Sequence, residues 1–137
     1  MRPYTGLKEG FGKGRRAGLE HLANGIEWCT AGRLWNNGTY GVRPNHSNTN
    51  LPSVHGTGRA ADISHRTFGG HAGSDRKTML GLIDALVANA EAIGLEMIID
   101  YAHQGKYGGG RIWMCDRYAW ADCAKGVLAG GGAAWAD

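Results

Sequence analysis

The sequence predicts an α+β domain built from a small, mostly antiparallel sheet and two packed helices. The 137 residues are enough for one hydrophobic core and too few for two ordinary domains. Glycine occurs 24 times, against roughly 10 at average usage, so loops are expected to occupy much of the chain, which disfavours an all-helical bundle. Segments with helical and strand patterns follow the order helix, strands, helix, strands, which favours α+β over a wound parallel sheet.

Two stripes of apolar residues at helical spacing predict the helices. The first helix is expected from about residue 15 to about residue 32, on the stripe Leu19, Leu22, Ala23, Ile26 and Cys29. The second has the stripe Met79, Ile83, Leu86, Val87, Ala90 and Ile93. Ser74 is its expected N-cap, and Gly94 stands where a helix commonly ends in the left-handed conformation. Both stripes are expected to lie in the core.

Short apolar or β-branched runs predict the strands, and glycine, asparagine and proline mark the connections. The expected strands are 39–42, 60–64, 95–101 and 111–114. The tripeptide Asn36-Asn37-Gly38 is a turn signal, 105–110 is a second turn, and 44–52 and 68–73 are loops. Residues 1–14 are expected to be a loose lead-in, and 15–137 the folded domain.

Composition limits the class of protein and its partners. No apolar run approaches the roughly 18 residues that span a bilayer, and residues 1–10 lack the apolar stretch of a secretory signal. Synthesis in the cytoplasm is therefore expected. The formal net charge of +3 suits an anionic partner such as nucleic acid or a cell-wall polymer without selecting one. The three cysteines form no disulfide framework and are expected to be reduced thiols.

One segment carries recognisable chemistry, the ten residues Ser-Val-His-Gly-Thr-Gly-Arg-Ala-Ala-Asp at 53–62. Zinc binds imidazole nitrogen and carboxylate oxygen, and its catalytic sites commonly have three protein ligands and a water. Gly56 and Gly58 let the backbone reverse, so that Asp62 enters the next strand facing the same ion as His55. The spacing makes His55 and Asp62 candidate zinc ligands.

The same ten residues match the pattern Ser-x-His-x-x-Gly-x-Ala-x-Asp. The chain therefore resembles the family of zinc-dependent D-alanyl-D-alanine carboxypeptidases and L-alanyl-D-glutamate endopeptidases, whose fold is of the D-Ala-D-Ala carboxypeptidase/hedgehog type. It is most similar to the peptidase domain of actinobacteriophage endolysins, through residues 38–43, 97–99 and 111–113 as well. The resemblance covers roughly 15–137 and is sharp only at 53–62.

The resemblance implies a role for each matching residue. His55 and Asp62 are zinc ligands, and Arg43 holds the substrate or the oxyanion. Ser53 lines the substrate groove, and Asp137 is the general base that passes a proton from water to the leaving amine. The implied activity is hydrolysis of an amide bond in the stem peptide of bacterial peptidoglycan by a monomer, without nucleic acid or membrane as partner.

The family's third zinc ligand is a histidine three residues after the carboxylate, and the sequence ends at Asp137. We expect a chain cut just before that ligand, with weak zinc binding and little hydrolysis. Two alternatives stay open: His103 or His71 completes the site, or the domain has lost its metal and only binds the cell wall. A nucleic-acid binder is a further alternative, resting on Arg15, Arg16, Arg59, Arg66, Arg76 and Lys77. Asp100 is expected to be an ordinary carboxylate at the end of a strand, and Glu96 is expected to be exposed to solvent.

Overall fold

A computed structural model describes residues 2–5, 10–43, 50, 53–65 and 75–124. This part of the chain is α+β, as the sequence predicts. Its helices are α1 (Ala17–Cys29), α2 (Arg76–Ala88) and α3 (Ala90–Ile93), with one 3₁₀ turn at Val54–Thr57. Its strands are β1 (Trp35–Gly38), β2 (Asp62–Ser64), β3 (Met97–Asp100), β4 (Gly108–Met114) and β5 (Ala119–Ala124). In these ranges no helix is long and apolar enough to cross a membrane.

The strands pair antiparallel throughout, as expected, but within the described ranges they form two sheets. The pair β1–β2 aligns Trp35 with Ser64. The three-stranded sheet has the order β3-β4-β5 and aligns Ile99 with Ile112 and Trp113 with Trp120. The motif strand β2 therefore belongs to the smaller sheet.

A shared core joins the two sheets through helix α2. Met79 and Ile83 of α2 are buried with Leu34, and Ile63 of β2 and Ile98 of β3 pack against the same cluster. Burial of each large aliphatic side chain stabilises the fold by about 1.5–3 kcal/mol. Helix α2 thus holds the motif strand against the larger sheet, in agreement with the predicted structural role of its apolar stripe.

The prediction for residues 36–42 is wrong. Asn36-Asn37-Gly38 lies in strand β1, and 39–42 forms no strand. The Asn36 side-chain oxygen accepts a hydrogen bond from the Gly38 amide at 3.0 Å, and Gly38 has a φ of 137° where the pairing with β2 shifts register. The residues that usually make a turn here make a bulge inside a strand.

The second helix begins and ends differently from the prediction. Its N-cap is Asp75, whose carboxylate accepts the Thr78 amide at 2.9 Å, and Ser74 lies outside the described residues. At its other end, α2 stops at Ala88, and the one-turn helix α3 follows. Gly94 closes α3 with a φ of 72°, as expected for a C-terminal glycine. Ile93, in this separate turn, is 45% exposed and is not a core residue.

Strand β5 was not expected from the sequence. Its residues Ala-Trp-Ala-Asp-Cys-Ala contain no β-branched side chain, so the local strand signal is weak. Pairing with β4 supplies the strand instead, and Tyr118, with a φ of 51°, is in the turn between them. Strand β4 also begins three residues earlier than expected, at Gly108.

The expected lead-in contacts the domain at several points. Tyr4 packs against the two core clusters of the larger sheet. The Thr5 amide and hydroxyl donate to the Glu96 carboxylate at 3.1 and 2.6 Å, and Arg59 lies 3.0 Å from the same carboxylate. Glu96 is therefore not a solvated carboxylate, because its side chain is only 14% exposed. Burial raises the pKa of Glu96, but the Thr5 hydrogen bonds and the Arg59 charge outweigh it and lower the pKa.

Candidate metal and substrate site

The motif begins with a tight turn that is held by its own backbone. The Gly56 amide donates to the Ser53 carbonyl at 2.8 Å, and the Gly58 amide donates to the His55 carbonyl at 3.1 Å. The Thr57 hydroxyl, which is buried, donates to the Val54 carbonyl at 2.7 Å. These bonds fix the direction in which the chain leaves His55.

Both motif glycines occupy positions where a larger residue meets neighbouring atoms. Gly58 has a φ of 75°, and a Cβ there would lie 2.8 Å from the Gly14 carbonyl oxygen. A Cβ on Gly56 would lie 3.1 Å from the Phe11 ring. The chain needs glycine at Gly58, because the Gly14 backbone lies close to it and its φ is positive, whereas a side chain at Gly56 would push the exposed Phe11 ring aside.

His55 and Asp62 converge at the open side of this turn. Nε2 of His55 lies 3.4 Å from Oδ1 of Asp62, with the two side chains 16% and 53% exposed. Two ligands of one tetrahedral zinc ion at bonds of about 2.0–2.2 Å are about 3.3–3.5 Å apart. The pair therefore fits two positions of a zinc site, and the distance is equally compatible with a hydrogen bond between the side chains.

A third ligand is not among the residues that the structure describes. No group of three His, Cys, Asp or Glu side chains in these ranges is placed to hold a metal ion. Asp137 and His71 lie outside the described residues. A zinc ion held by His55 and Asp62 therefore needs water or a further residue to complete its coordination.

Arg43 and Ser53 are neighbours of the turn. The Ser53 amide donates to the Arg43 carbonyl at 3.0 Å, and the Gly41 amide donates to the His55 carbonyl at 3.3 Å. The segment 41–43 therefore runs beside the motif, with Arg43 exposed and Ser53 half-buried. The structure brings the four predicted residues Arg43, Ser53, His55 and Asp62 to one region of the surface.

His103 has a different carboxylate partner. Its Nε2 lies 3.3 Å from Oδ1 of Asp122, and both side chains are about one-third exposed. The other oxygen of Asp122 accepts the Lys106 amide at 2.7 Å, and a Cβ on Gly105 would meet the carboxylate at 2.5 Å. His103 thus belongs to a second His–Asp pair, and among the described residues it does not form a three-ligand group with His55 and Asp62.

Asp100, expected as an ordinary strand-end carboxylate, is instead 4% exposed and bound by two arginines. Arg76 donates to both its oxygens at 2.8 and 2.7 Å, and Arg111 donates at 3.0 Å. Burial raises the pKa of Asp100, but these hydrogen bonds and charges outweigh it and lower the pKa. The Arg111 guanidinium also lies 4.0 Å from the centre of the Trp120 ring. Sequence spacing gives no signal for this cluster, because its members come from three distant segments.

Tyr101 is a further residue near the site that sequence reasoning missed. It directly follows strand β3 and is 60% exposed. Partial burial raises the pKa of its phenol, the negative charge of Asp62 raises it further, and the positive charge of Arg43 opposes the rise. Its phenol therefore lies within electrostatic range of two predicted site residues.

Several cations that suggested nucleic-acid binding have partners inside the protein. Arg16 donates to the Thr57 carbonyl at 3.0 Å, Arg59 pairs with Glu96, and Arg76 pairs with Asp100. Arg66 lies outside the described residues. The cations held in this way stabilise the fold around the motif and do not form a surface stripe.

Comparisons with known proteins do not assign a family or a function to the chain. The chain matches no protein-family model, no curated protein and no solved structure with statistical significance.

Proposed function

We propose that the chain is a zinc-dependent peptidoglycan peptidase that hydrolyses an amide bond of the stem peptide. It would act on the bacterial cell wall as the catalytic domain of a phage endolysin. One observation carries the proposal: in a ten-residue segment with the family's motif, His55 Nε2 and Asp62 Oδ1 lie 3.4 Å apart on an accessible surface. A metal-ligand pair needs this distance and this access.

In this proposal His55 and Asp62 hold the zinc. When bound, zinc would polarise the scissile carbonyl and make a water molecule more acidic. The half-buried turn orients the His55 ring, and the more exposed Asp62 leaves the open side of the pair to the substrate. The rigid turn thus places the ligands before the substrate arrives.

Arg43 and Ser53 are proposed to bind the peptide. The exposed Arg43 guanidinium is always protonated and binds either a substrate carboxylate or the negative charge that develops on the carbonyl oxygen. Ser53 offers a hydroxyl beside the turn. Asp137 is proposed as the general base, which accepts a proton from water and delivers it to the leaving amine. The substrate class is the peptidoglycan stem peptide with alternating L and D residues.

A second candidate is a cell-wall binding module that carries the same motif without activity. It is favoured by the finding that the described residues place two candidate metal ligands together and no third beside them. Zinc sites usually have at least three protein ligands, so a two-ligand site holds the ion weakly. Such a module would bind the cell-wall peptide through the same surface and would not hydrolyse it.

The experiment that separates these candidates uses purified peptidoglycan with added zinc. Release of new amino groups by the wild type, abolished by His55→Asn and Asp62→Asn, supports the peptidase. Sedimentation with peptidoglycan without release of amino groups supports the binding module. His21→Asn is the matched control, because His21 is exposed on α1 and lines a groove with Leu82 that includes no motif residue. Neither release nor sedimentation would contradict both candidates.

A further inference from the structure

The 3₁₀ turn of the motif is bound from behind by the chain that precedes helix α1. The Gly12 amide donates to the Gly56 carbonyl at 2.8 Å. Nε of Arg16 donates to the next carbonyl along the turn, that of Thr57, at 3.0 Å. Two consecutive carbonyls of the turn are therefore fixed to a segment that is distant in the sequence.

Arg59, which lies between His55 and Asp62 in the sequence, is fixed in a second way. Its Nη2 donates to the Thr5 hydroxyl oxygen at 2.9 Å and lies 3.0 Å from Oε1 of Glu96. The Thr5 hydroxyl donates to the same Glu96 oxygen at 2.6 Å. The three side chains thus form a closed triangle in which each contacts the other two.

This triangle is mostly buried and stands on the larger sheet. The side chains of Arg59 and Glu96 are 20% and 14% exposed. Glu96 directly precedes β3, and its carbonyl accepts the Cys115 amide at 2.9 Å. When one member of a buried ion pair is removed, the other is left with an uncompensated charge, so the arrangement depends on both. Arg59 therefore ties the segment between the candidate ligands to a fixed point.

The placement of His55 relative to Asp62 depends on the course of this segment. His55 lies in the turn before Arg59, and Asp62 begins the strand after it. The segment includes Gly58, and glycine allows the backbone more conformations than other residues do. A contact that restrains the segment orders both ligands before a metal ion arrives, which lowers the entropic cost of binding it.

We propose that Arg59 is a positioning residue of the His55–Asp62 site, held in place by Thr5 and Glu96. It acts through the backbone on either side of it by keeping the two zinc ligands at one separation. This rests on the proposed function and adds to it a residue at a position that the motif pattern leaves open.

The test measures the zinc affinity of the full chain by calorimetry. Arg59→Gln and Glu96→Gln, which break the ion pair from its two sides, should each weaken zinc binding about 3–10-fold, because the two ligands must then be ordered on binding. The double variant should bind zinc no more weakly than either single variant, since both substitutions remove the same contact. Thr5→Val removes only the bridging hydroxyl and should also weaken binding about 3–10-fold, the range of one hydrogen bond.

Arg76→Gln is the matched control. It breaks another partly buried ion pair, that of Arg76 with Asp100, which holds no motif residue. It should therefore lower the free energy of unfolding as Arg59→Gln does and leave zinc affinity within about twofold. All affinities are measured below the unfolding midpoint of each variant. If Arg59→Gln does not fold, Thr5→Val, with its milder change, decides the question.

Hydrogen exchange of the metal-free chain gives a second measurement. The Gly58 amide donates to the His55 carbonyl at 3.1 Å, so its exchange rate reports how often the turn opens. Arg59→Gln should raise this rate about 3–10-fold relative to that of the buried Ile83 amide, whereas Arg76→Gln should leave the ratio unchanged.

The outcomes separate this inference from the function on which it rests. If the wild type binds zinc and the variants of Arg59, Glu96 and Thr5 bind it within about twofold of wild type, the inference is wrong and the proposed function stands. An equal loss of affinity in Arg76→Gln, or an unchanged exchange ratio in Arg59→Gln, also overturns the inference. If the wild type binds no zinc, the proposed function fails and the inference fails with it.

Discussion

Nε2 of His55 lies 3.4 Å from Oδ1 of Asp62, although one residue is in a 3₁₀ turn and the other begins a strand. The turn between them makes this approach possible, because Gly58 adopts the left-handed conformation with residues 14–16 packed against it. The approach of His55 to Asp62 therefore depends on the backbone conformation of a residue that belongs to neither side chain.

Replacing Gly58 should damage both the fold and the site. Gly58→Ala places a Cβ 2.8 Å from the Gly14 carbonyl in a conformation that costs L residues about 1–2 kcal/mol, so the free energy of unfolding should fall by at least that amount. Gly81→Ala is the control, because a Cβ on this helical glycine meets nothing within 4 Å, and it should raise stability by about 0.5–1 kcal/mol. Urea unfolding of both variants checks this. Equal effects would show that the turn is not strained by the new side chain.

The apolar face of α2 should be purely structural. Ile83 is 4% exposed, so Ile83→Ala should lower the free energy of unfolding by about 2–5 kcal/mol through loss of packing. Ile93→Ala, at a position that is 45% exposed, should change stability by less than about 0.5 kcal/mol. Thermal and urea unfolding measure both. If zinc affinity at a temperature where Ile83→Ala is folded differs from wild type, α2 does more than support the motif strand.

Asp100 should make stability depend on pH in acid. Its pKa is lower in the folded protein than in the unfolded chain, so its stabilisation is complete above the unfolded value of about 3.9 and is lost as the pH falls through the folded value. Asp100→Asn leaves two partly buried arginines, 30% and 19% exposed, without their carboxylate partner and should cost about 1.5–3 kcal/mol at pH 7, the range of hydrogen bonds to charged groups. The difference from wild type should persist to about pH 4 and shrink below it.

Unfolding in urea between pH 7 and pH 3, followed by tryptophan fluorescence, tests this dependence. Asp84→Asn is the control, since Asp84 is exposed on α2 and should shift stability by no more than about 0.5 kcal/mol. A gap between Asp100→Asn and wild type that stays constant down to pH 3 would show that the arginine pairs do not lower the pKa of this carboxylate.

The sequence predicts features that depend on local periodicity and misses those that depend on tertiary pairing. Helix α1, the stripe residues Met79 and Ile83, and the glycine that ends α3 follow from spacing and conformation. The predicted core stripe of α1 is wrong in part, because Leu22 and Cys29 are exposed and Ala23 is its buried member. Strand β5 has no such signal, because its partner β4 supplies the pairing. The Asn36-Asn37-Gly38 segment was predicted to be a turn and forms a bulge in strand β1, because the residues that favour turns also favour bulges.

The candidate site divides in the same way. The motif predicts that His55 and Asp62 lie close together, because both belong to one short segment. The distance of 3.4 Å between their side chains agrees with this prediction. Tyr101, in the turn after β3, and Asp122 of β5, the partner of His103, lie far from the motif in the sequence and were missed. The buried Asp100 cluster was missed because its charge partners stand on α2 and β4. Only the fold makes these residues neighbours.

Zinc titration of the full chain by isothermal calorimetry tests the central claim most directly. The account predicts detectable but weak binding by the wild type, because the described residues bring together two candidate ligands, His55 and Asp62, and no third. His55→Asn and Asp62→Asn should each weaken zinc affinity by more than about 10-fold, since loss of even an outer-shell partner costs about 10–100-fold. His103→Asn and Asp122→Asn, the matched variants of the second His–Asp pair, should leave affinity within about twofold. Zinc affinity that is unchanged in the first two variants, or that is lost only in the second two, would contradict the account.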